Sequence, residues 1–367
     1  MQYYADMAQN IKKIVVGLSG GIDSTVTALL LRDAGYEVVG VTLLMQPQEN
    51  AEAQKSCGGE DAVGMATRVA EQLQIPLHVV ECRALFERAV LKPCWQIFSE
   101  GRTPNPCVIC NRLVKFRALL DFADQIGAFY VATGHYARIT LDAQQRPRLL
   151  RGVDTNKDQS YFLHALTPDM LARIQFPLGG LCKPEVRALG QQYGLVNAAR
   201  AESQDVCFAG PEGHVAEQLR LRYGGTVVSG VLKDETGRVV GRHGGIHKLT
   251  IGQRRGLGVA LGKPAKIIAI DAQSGDVVLS DRPEAAYGTQ CEAQAFYWHV
   301  AADRAATYSA QVRYRQKPVA AQIRTMSDAG SDVAVTFAEP VFGITPGQAL
   351  VLYKGDVVVG GGTIVRA

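Results

Sequence analysis

The sequence predicts a multidomain chain: an N-terminal α/β doubly wound parallel sheet, a small central β-rich domain and a C-terminal β-barrel. Apolar strand patterns alternate with amphipathic helix patterns as far as Gly134, the mark of consecutive parallel βαβ units. From about Thr226 the pattern changes to short β-rich runs punctuated by turns such as Asp-Glu-Thr-Gly and Gln-Ser-Gly-Asp. The 367 residues, 47% hydrophobic and 20% charged, suffice for two or three domains with proper cores. The expected divisions are 1–211, 212–288 and 289–367.

Ile11 to Leu18 reads as the first strand, with Ile14, Val15 and Val16 contiguous as in a strand buried on both faces. Val26, Leu29 and Leu30 recur at helical spacing, and Gly35 offers a stop. Further strands are predicted over Tyr36 to Leu44, Leu77 to Cys82 and Phe129 to Gly134. Helices are predicted over Glu60 to Leu73, Ala84 to Phe98 with a kink at Pro93, and Asn111 to Gln125. Ligands on open parallel sheets sit at the carboxyl ends of the strands, so Ser19, Leu43, Gly134 and His135 should line one crevice. The central domain should hold strands at Thr226 to Val231, Lys266 to Ile270 and Val277 to Leu279. A β-rich stretch from about Thr289 should follow, with strands at Ala310 to Tyr314, Val319 to Arg324, Val333 to Phe337, Ala349 to Tyr353 and Val357 to Ile364. Their spacing suits a compact barrel or sandwich.

Between the first strand and first helix lies Gly17-Leu18-Ser19-Gly20-Gly21-Ile22-Asp23-Ser24. Two glycines flanked by serines, at a helix N-terminus, let backbone N–H groups and hydroxyls crowd a phosphate. Asp23 suits such an anion site when a cation bridges it, which points to Mg²⁺ with a nucleotide. Neither Gly-x-x-x-x-Gly-Lys-Ser/Thr nor the dinucleotide fingerprint Gly-x-Gly-x-x-Gly is present here. Gly256-Leu257-Gly258 reads as a β-turn.

A second informative stretch is Thr103-Pro104-Asn105-Pro106-Cys107-Val108-Ile109-Cys110-Asn111. Two prolines stiffen a loop that brings Cys110 near a helix start, where the dipole and the cations Arg102, Arg112, Lys115 and Arg117 favour a thiolate. No second Cys-x-x-Cys or Cys/His pair stands at zinc spacing, which argues against structural zinc. A third stretch, Ser203-Gln204-Asp205-Val206-Cys207-Phe208-Ala209-Gly210, sets Cys207 on a polar-to-glycine turn. Cys57, Cys82, Cys94, Cys182 and Cys291 stand alone and read as small core residues.

The net charge of +4 is unevenly placed: Glu217 to Lys266 carries ten Lys/Arg against three acids. That surplus fits a polyanion such as nucleic acid, or simply a solvated basic face. No secretory leader or membrane-spanning run is evident, so a cytoplasmic protein without membrane association is expected.

The Ser-Gly-Gly-Ile-Asp-Ser string resembles the pyrophosphate loop of enzymes that split ATP into AMP and pyrophosphate (an adenine nucleotide alpha hydrolase-like fold). With Thr103 to Asn111, Ala132-Thr133-Gly134-His135-Tyr136, Lys157 to Leu163, Ser203 to Gly210, Thr250 to Gly258, Arg313-Tyr314-Arg315-Gln316 and Thr345-Pro346-Gly347-Gln348, the resemblance covers essentially the whole chain. The sequence resembles the bacterial tRNA-uridine 2-sulfurtransferases (tRNA-specific 2-thiouridylases). That resemblance implies ATP-dependent 2-thiolation of the wobble uridine of tRNA, with no role for DNA. Gly17, Leu18, Ser19, Gly20, Gly21, Ile22, Asp23, Ser24, Leu43 and Gly134 would bind ATP. Asn105, Pro106 and Cys107 would meet the target base; His135, Lys157, Asp158, Gln159, Arg313, Tyr314 and Gln348 would touch tRNA.

The family also implies that Cys110 is the nucleophile, and that Cys207 carries a persulfide received from a sulfur-relay donor protein. A Cys110–Cys207 disulfide would be left after each turnover. The best-known members carry Asp where this chain has Cys107. For the Cys-x-x-Cys form, an iron–sulfur cluster held by Cys107, Cys110 and Cys207 is the alternative sulfur route. More remote readings are another pyrophosphate-loop adenylating ligase and a non-catalytic nucleotide-regulated RNA-binding protein. The ligases do not require two reactive cysteines on separate loops, and the binding protein should show no tRNA-dependent release of AMP or pyrophosphate.

Overall fold

Lys13–Gly17 (β1) is the middle of a five-stranded parallel sheet, its residues Ile14, Val15 and Val16 wholly buried. The computed structural model describes residues 13–46, 59–200, 206–208, 215–259 and 262–367. Ile11 of the expected first strand therefore lies outside the described residues, as do Cys57 and residues 203–205, 209 and 210 of the third stretch. The chain forms two compact units, one from Met1–Ala89, Cys107–Pro211 and Asp356–Val358, the other from Val90–Pro106, Glu212–Gly355 and Val359–Ala367.

In the first unit, β1 pairs in parallel with β2 (Glu37–Leu44) and with β4 (Tyr130–Ala132), Ile14 facing Val38 on one side and Tyr130 on the other. Adding β3 (Leu77–Glu81) and β7 (Ile174–Gln175) gives the order β3-β2-β1-β4-β7. Winding reverses at β1, which opens the crevice beyond its carboxyl end. The helices Ile22–Asp33 and Glu60–Leu73 cover one face. Val26, Leu29, Ala66, Val69 and Leu73 from them bury against Val16 and Leu18. The first helix ends where Gly35 takes φ +86°, and the second where Gln74 turns left-handed. The sheet's fifth strand is only two residues long, too short for any periodicity to reveal it. Ala137–Leu141 (β5) and Pro147–Arg151 (β6) form a hairpin, also unforeseen, whose Arg138 guanidinium donates to Asp356 at 2.6 Å.

Two of the expected helices are wound differently. In place of the single helix expected over Ala84 to Phe98, with a kink at Pro93, the chain has a π-helical segment, Glu87–Leu91, between Arg83–Phe86 and Lys92–Ser99. A π turn accommodates the hydrogen bond that proline cannot donate. The helix expected from Asn111 begins earlier, at Pro106, and runs through a π segment at Asn111–Lys115 into Phe116–Gln125.

The second unit holds two sheets. Gly230–Lys233 (β8), Val239–His243 (β9), Lys266–Ile270 (β10) and Val277–Ser280 (β11) pair in the order β10-β11-β8-β9. Leu232, Ile246, Ile267, Val277 and Leu279 form their core. Helix Lys92–Ser99 belongs with this sheet and not with the N-terminal unit: Trp95 lies edge-on to His247 at 5.7 Å. The C-terminal sheet comprises Tyr287–Trp298 (β12), Thr307–Gln311 (β13), Val319–Met326 (β14), Val333–Phe342 (β15), Ala349–Lys354 (β16) and Val357–Arg366 (β17). β12 pairs with both β15 and β17 and so closes a barrel around Val335, Leu350, Leu352 and Ile364. Among the described residues, no helix is long and apolar enough to cross a membrane.

Candidate active site

The loop between β1 and the first helix is held open by its own hydroxyls. Ser24 Oγ donates to Gly21 O at 2.9 Å and accepts from Ser19 N at 3.1 Å. Gly20 sits at φ +73°, where a Cβ would stand 2.9 Å from Ala62 O. Asn197 Nδ2 donates to Gly20 O (3.0 Å) and to Thr25 Oγ1 (2.8 Å), fastening the loop from behind. No side chain caps this 12-residue helix at Gly21, so its first-turn amides stay available to an anion. Gly134 is fixed by space: a Cβ there would come within 2.8 Å of Ser24 N.

Gly17, Leu18, Ser19, Asp23, Ser24, Leu43 and Gly134 line one cavity at the strand ends, together with Lys115, Thr133, His135 and Gln159. Asp23 is the one carboxylate among the described lining residues. Its Oδ1 accepts from Tyr136 Oη (2.8 Å) and from the buried Lys183 Nζ (2.5 Å). Lys183 went unforeseen; it stands 160 positions from Asp23 and reads in sequence only as part of a Lys-Pro helix start. The half-exposed carboxylate beside the uncapped first-turn amides has the donor chemistry that suits Mg²⁺, which is held by one or two carboxylates plus phosphates. His135 Nδ1 lies 2.8 Å from Thr133 Oγ1. Burial, and then the Lys115 charge, hold its pKa well below 6.5, so the ring is neutral.

The other expected tRNA contacts of this unit are engaged internally to differing degrees. Asp158, 9% exposed, accepts from Arg151 Nη1, Gly152 N, Ser160 N and Ser160 Oγ, each at 3.0 Å, which saturates its carboxylate as the brace of a loop. Gln159 Oε1 accepts from Tyr136 N at 3.0 Å. Lys157 is half-buried beside them.

Cys110 is buried at the end of the Pro106–Cys110 segment, directly before the π turn; Cys107 is half-buried. It therefore lies a turn inside the helix and not at its first residues, where the dipole argument was strongest. The next residue, Asn111, donates to Phe162 O (3.2 Å) and accepts from Lys115 Nζ (3.0 Å), and Lys115 reaches the cavity. Cys207 approaches from the β2 side: its carbonyl accepts from the buried Gln46 at 2.8 Å, beside cavity-lining Met45, and Phe208 packs on Phe86. Among the described residues, no three His, Cys, Asp or Glu side chains come together as a metal-holding group. Burial pushes the Cys82 thiol up to about 11 and Cys291 to about 12, as inert core thiols require.

In the second unit, Arg313 Nη2 donates to Ile251 O at 2.7 Å and to Thr345 Oγ1. Gln348 Nε2 donates to Thr103 O and Pro104 O, at 3.1 and 2.9 Å. Tyr314 is half-buried with the Arg315 guanidinium 5.4 Å over its ring. The basic surplus of the central stretch is partly neutralised at home, because Arg220 and Lys248 pair with Glu217, Lys233 with Asp276 and Arg238 with Asp234. Arg254 and Arg255 are exposed and stand in none of the ion pairs among the described residues.

Three domain families match the chain in order: the tRNA methyl transferase HUP domain over residues 12–211, the tRNA methyl transferase PRC-barrel domain over 221–281, and the aminomethyltransferase beta-barrel domain over 289–364. The tRNA-specific 2-thiouridylase MnmA of Heliobacterium modesticaldum is 46% identical over 358 residues, 96% of this chain and 92% of the relative. That of Carboxydothermus hydrogenoformans is 44% identical over 97% of this chain and 98% of its own. That of Geotalea uraniireducens is 41% identical over 97% and 96%. The domain descriptions speak of methyl transfer and the relatives' names of 2-thiolation. Identity along nearly the whole chain decides for the second.

Proposed function

This chain belongs to the tRNA-specific 2-thiouridylase family, and we propose that it thiolates the wobble uridine of tRNA by adenylating the 2-carbonyl oxygen and then displacing AMP with sulfur carried on Cys207. It is a tRNA sulfurtransferase with a HUP domain over residues 12–211, and Gly17 to Ser24 is the proposed ATP-binding pyrophosphate loop of that domain. The observation that carries the reading is the uncapped helix start at Gly21 and Ile22, within Ser19–Ser24, where Asp23 of the first turn meets Lys183, in a crevice that Lys115 and Gln159 also line. We retain 1–211, 212–288 and 289–367 as the working domain division.

The 2-carbonyl of uracil is a poor electrophile and has no leaving group. Attack of that oxygen on the α-phosphorus of ATP releases pyrophosphate and creates one. The loop amides and Ser19 and Ser24 hydroxyls hold the departing pyrophosphate, and Lys183 meets the charge that develops on it. Mg²⁺ held by Asp23 would neutralise phosphate charge. Neutral His135 stays out of proton transfer and shapes the pocket. Target-base access falls to Asn105, Pro106 and Cys107, which require the uridine splayed from the anticodon loop. His135, Lys157, Gln159 and Tyr314 are carried forward as the tRNA-side residues of the family reading.

In the sulfur half, the terminal sulfur of the Cys207 persulfide attacks the activated carbon and AMP leaves. The Cys110 thiolate then attacks Cys207 Sγ. The S–S bond breaks, the thiocarbonyl forms on the base, and a Cys110–Cys207 disulfide remains, which a cellular dithiol must reduce before the next turnover. A sulfur-relay protein supplies the persulfide, and the reducing requirement suits a cytoplasmic enzyme.

Unmodified tRNA, ATP and a persulfide donor test this. AMP, pyrophosphate and 2-thiouridine should appear together. ADP as the nucleotide product would overturn the adenylation step; AMP without thiolation would favour an adenylating ligase, and no turnover a binding protein.

A further inference from the structure

Gln348 has a use that the family resemblance does not give it. An amide side chain offers two N–H donors, and both of those on Gln348 go to consecutive backbone carbonyls, Thr103 O at 3.1 Å and Pro104 O at 2.9 Å. None is left for a phosphate oxygen. The same segment is gripped at three more points. Thr103 N donates to Pro346 O at 2.9 Å, and Thr103 Oγ1 lies 3.0 Å from Thr250 Oγ1. Gly347, at φ +94°, runs so close that a Cβ would stand 2.5 Å from Thr103 O. Pro104 has no N–H to contribute to a local turn, so this stretch is ordered by its partners and not by itself.

The partners are rigid. Gly347 N donates to Ile364 O and Ile364 N to Gln348 O, both at 2.8 Å, which builds the 345–348 turn into strand β17 of the barrel. Arg313 ties the same corner to residue 251 through Ile251 O and Thr345 Oγ1. The motifs Thr250 to Gly258, Arg313 to Gln316 and Thr345 to Gln348 thus converge on Thr103-Pro104. Cys107 follows three residues later and Cys110 six.

We infer that the C-terminal barrel anchors the cysteine loop, with Gln348 as a positioning residue for Cys107 and Cys110. The inference rests on the proposal that Cys110 acts in sulfur transfer. Sites held by a rigid frame keep their reacting atoms in place, and a displacement of about 1 Å costs on the order of 100-fold in rate.

The test is Gln348→Ala in the full chain. Backbone hydrogen exchange in free protein should quicken over residues 103–110 while β13–β16 keep their protection, and iodoacetamide should label Cys110 faster. Turnover to 2-thiouridine at saturating tRNA should fall roughly 10- to 100-fold, with KM for tRNA within about twofold. Unchanged exchange and labelling, with or without a raised KM for tRNA, would overturn the inference, and a raised KM would return Gln348 to direct tRNA contact. Should that variant loosen the barrel itself, Thr250→Val removes the Thr103 hydroxyl contact without the amide and should give the same localised exchange. Wild-type protein unable to make 2-thiouridine would instead count against the function, whatever the exchange data show.

Discussion

The two units use their motif residues in opposite ways. In the first, the Gly17–Ser24 string stays open to the crevice: Gly21 carries no side-chain cap, and Ser19, Asp23 and Ser24 face a shared cavity. In the second, Arg313 and Gln348 turn inward and spend donors on Ile251, Thr103 and Pro104 carbonyls. A motif can mark a surface that meets a ligand or a seam that holds another part of the chain. Hydrogen-bond donors left over after folding tell the two apart, since a satisfied donor has little to offer a partner.

The largest expected effect breaks the comparison from the chemical side. Cys110→Ser and Cys207→Ser should each abolish 2-thiouridine while tRNA-dependent pyrophosphate release from the adenylation step persists; thiolation by either variant would remove that cysteine from the mechanism. Asp23→Asn should slow adenylation by about 100-fold and leave tRNA affinity unchanged. Equal losses in both would make Asp23 a folding residue. Cys107→Asp should keep activity under persulfide chemistry; strict dependence of the wild type on reconstituted iron, lost with that substitution, would reverse the choice of sulfur route.

Within the second unit, Arg254→Ala with Arg255→Ala should weaken tRNA binding and flatten its salt dependence by about 0.7–0.9 of a unit per lost phosphate contact. Arg313→Ala should lower the thermal midpoint with the salt slope intact. Matching slopes for both variants would erase the distinction between exposed and inward arginines. The smallest effect is on pH. His135 stays neutral in the fold, its pKa held well below 6.5 by burial and Lys115. The unfolded chain takes up a proton there below about 6.5 and the folded chain does not, so stability should fall as pH drops through that range. His135→Gln should remove up to one proton's worth of that slope in pH-dependent denaturation.

Much of this was legible in sequence where signals are local. The Glu60–Leu73 helix and the Lys266–Ile270 strand fall where their patterns placed them, and strand-end logic assembled Ser19, Leu43, Gly134 and His135 in one crevice. What stayed hidden depends on distance along the chain. Lys183 reaches Asp23 across 160 positions, and Asn197 reaches Gly20 across 177. β7 is two residues long, and helix Lys92–Ser99 joins the second unit through Trp95 and His247, a packing choice no periodicity encodes. The charge surplus of the central stretch overstated the free basic surface because Asp276, outside that stretch, neutralises Lys233.

The most direct test of adenylation follows one oxygen atom. tRNA carrying an oxygen-18 label at the 2-position of the target uridine is turned over with ATP and a persulfide donor, and the AMP is examined by mass spectrometry. If the 2-oxygen is the atom adenylated, each AMP leaves with the label in its phosphate. Unlabelled AMP, with the oxygen recovered in water, would contradict activation at that oxygen.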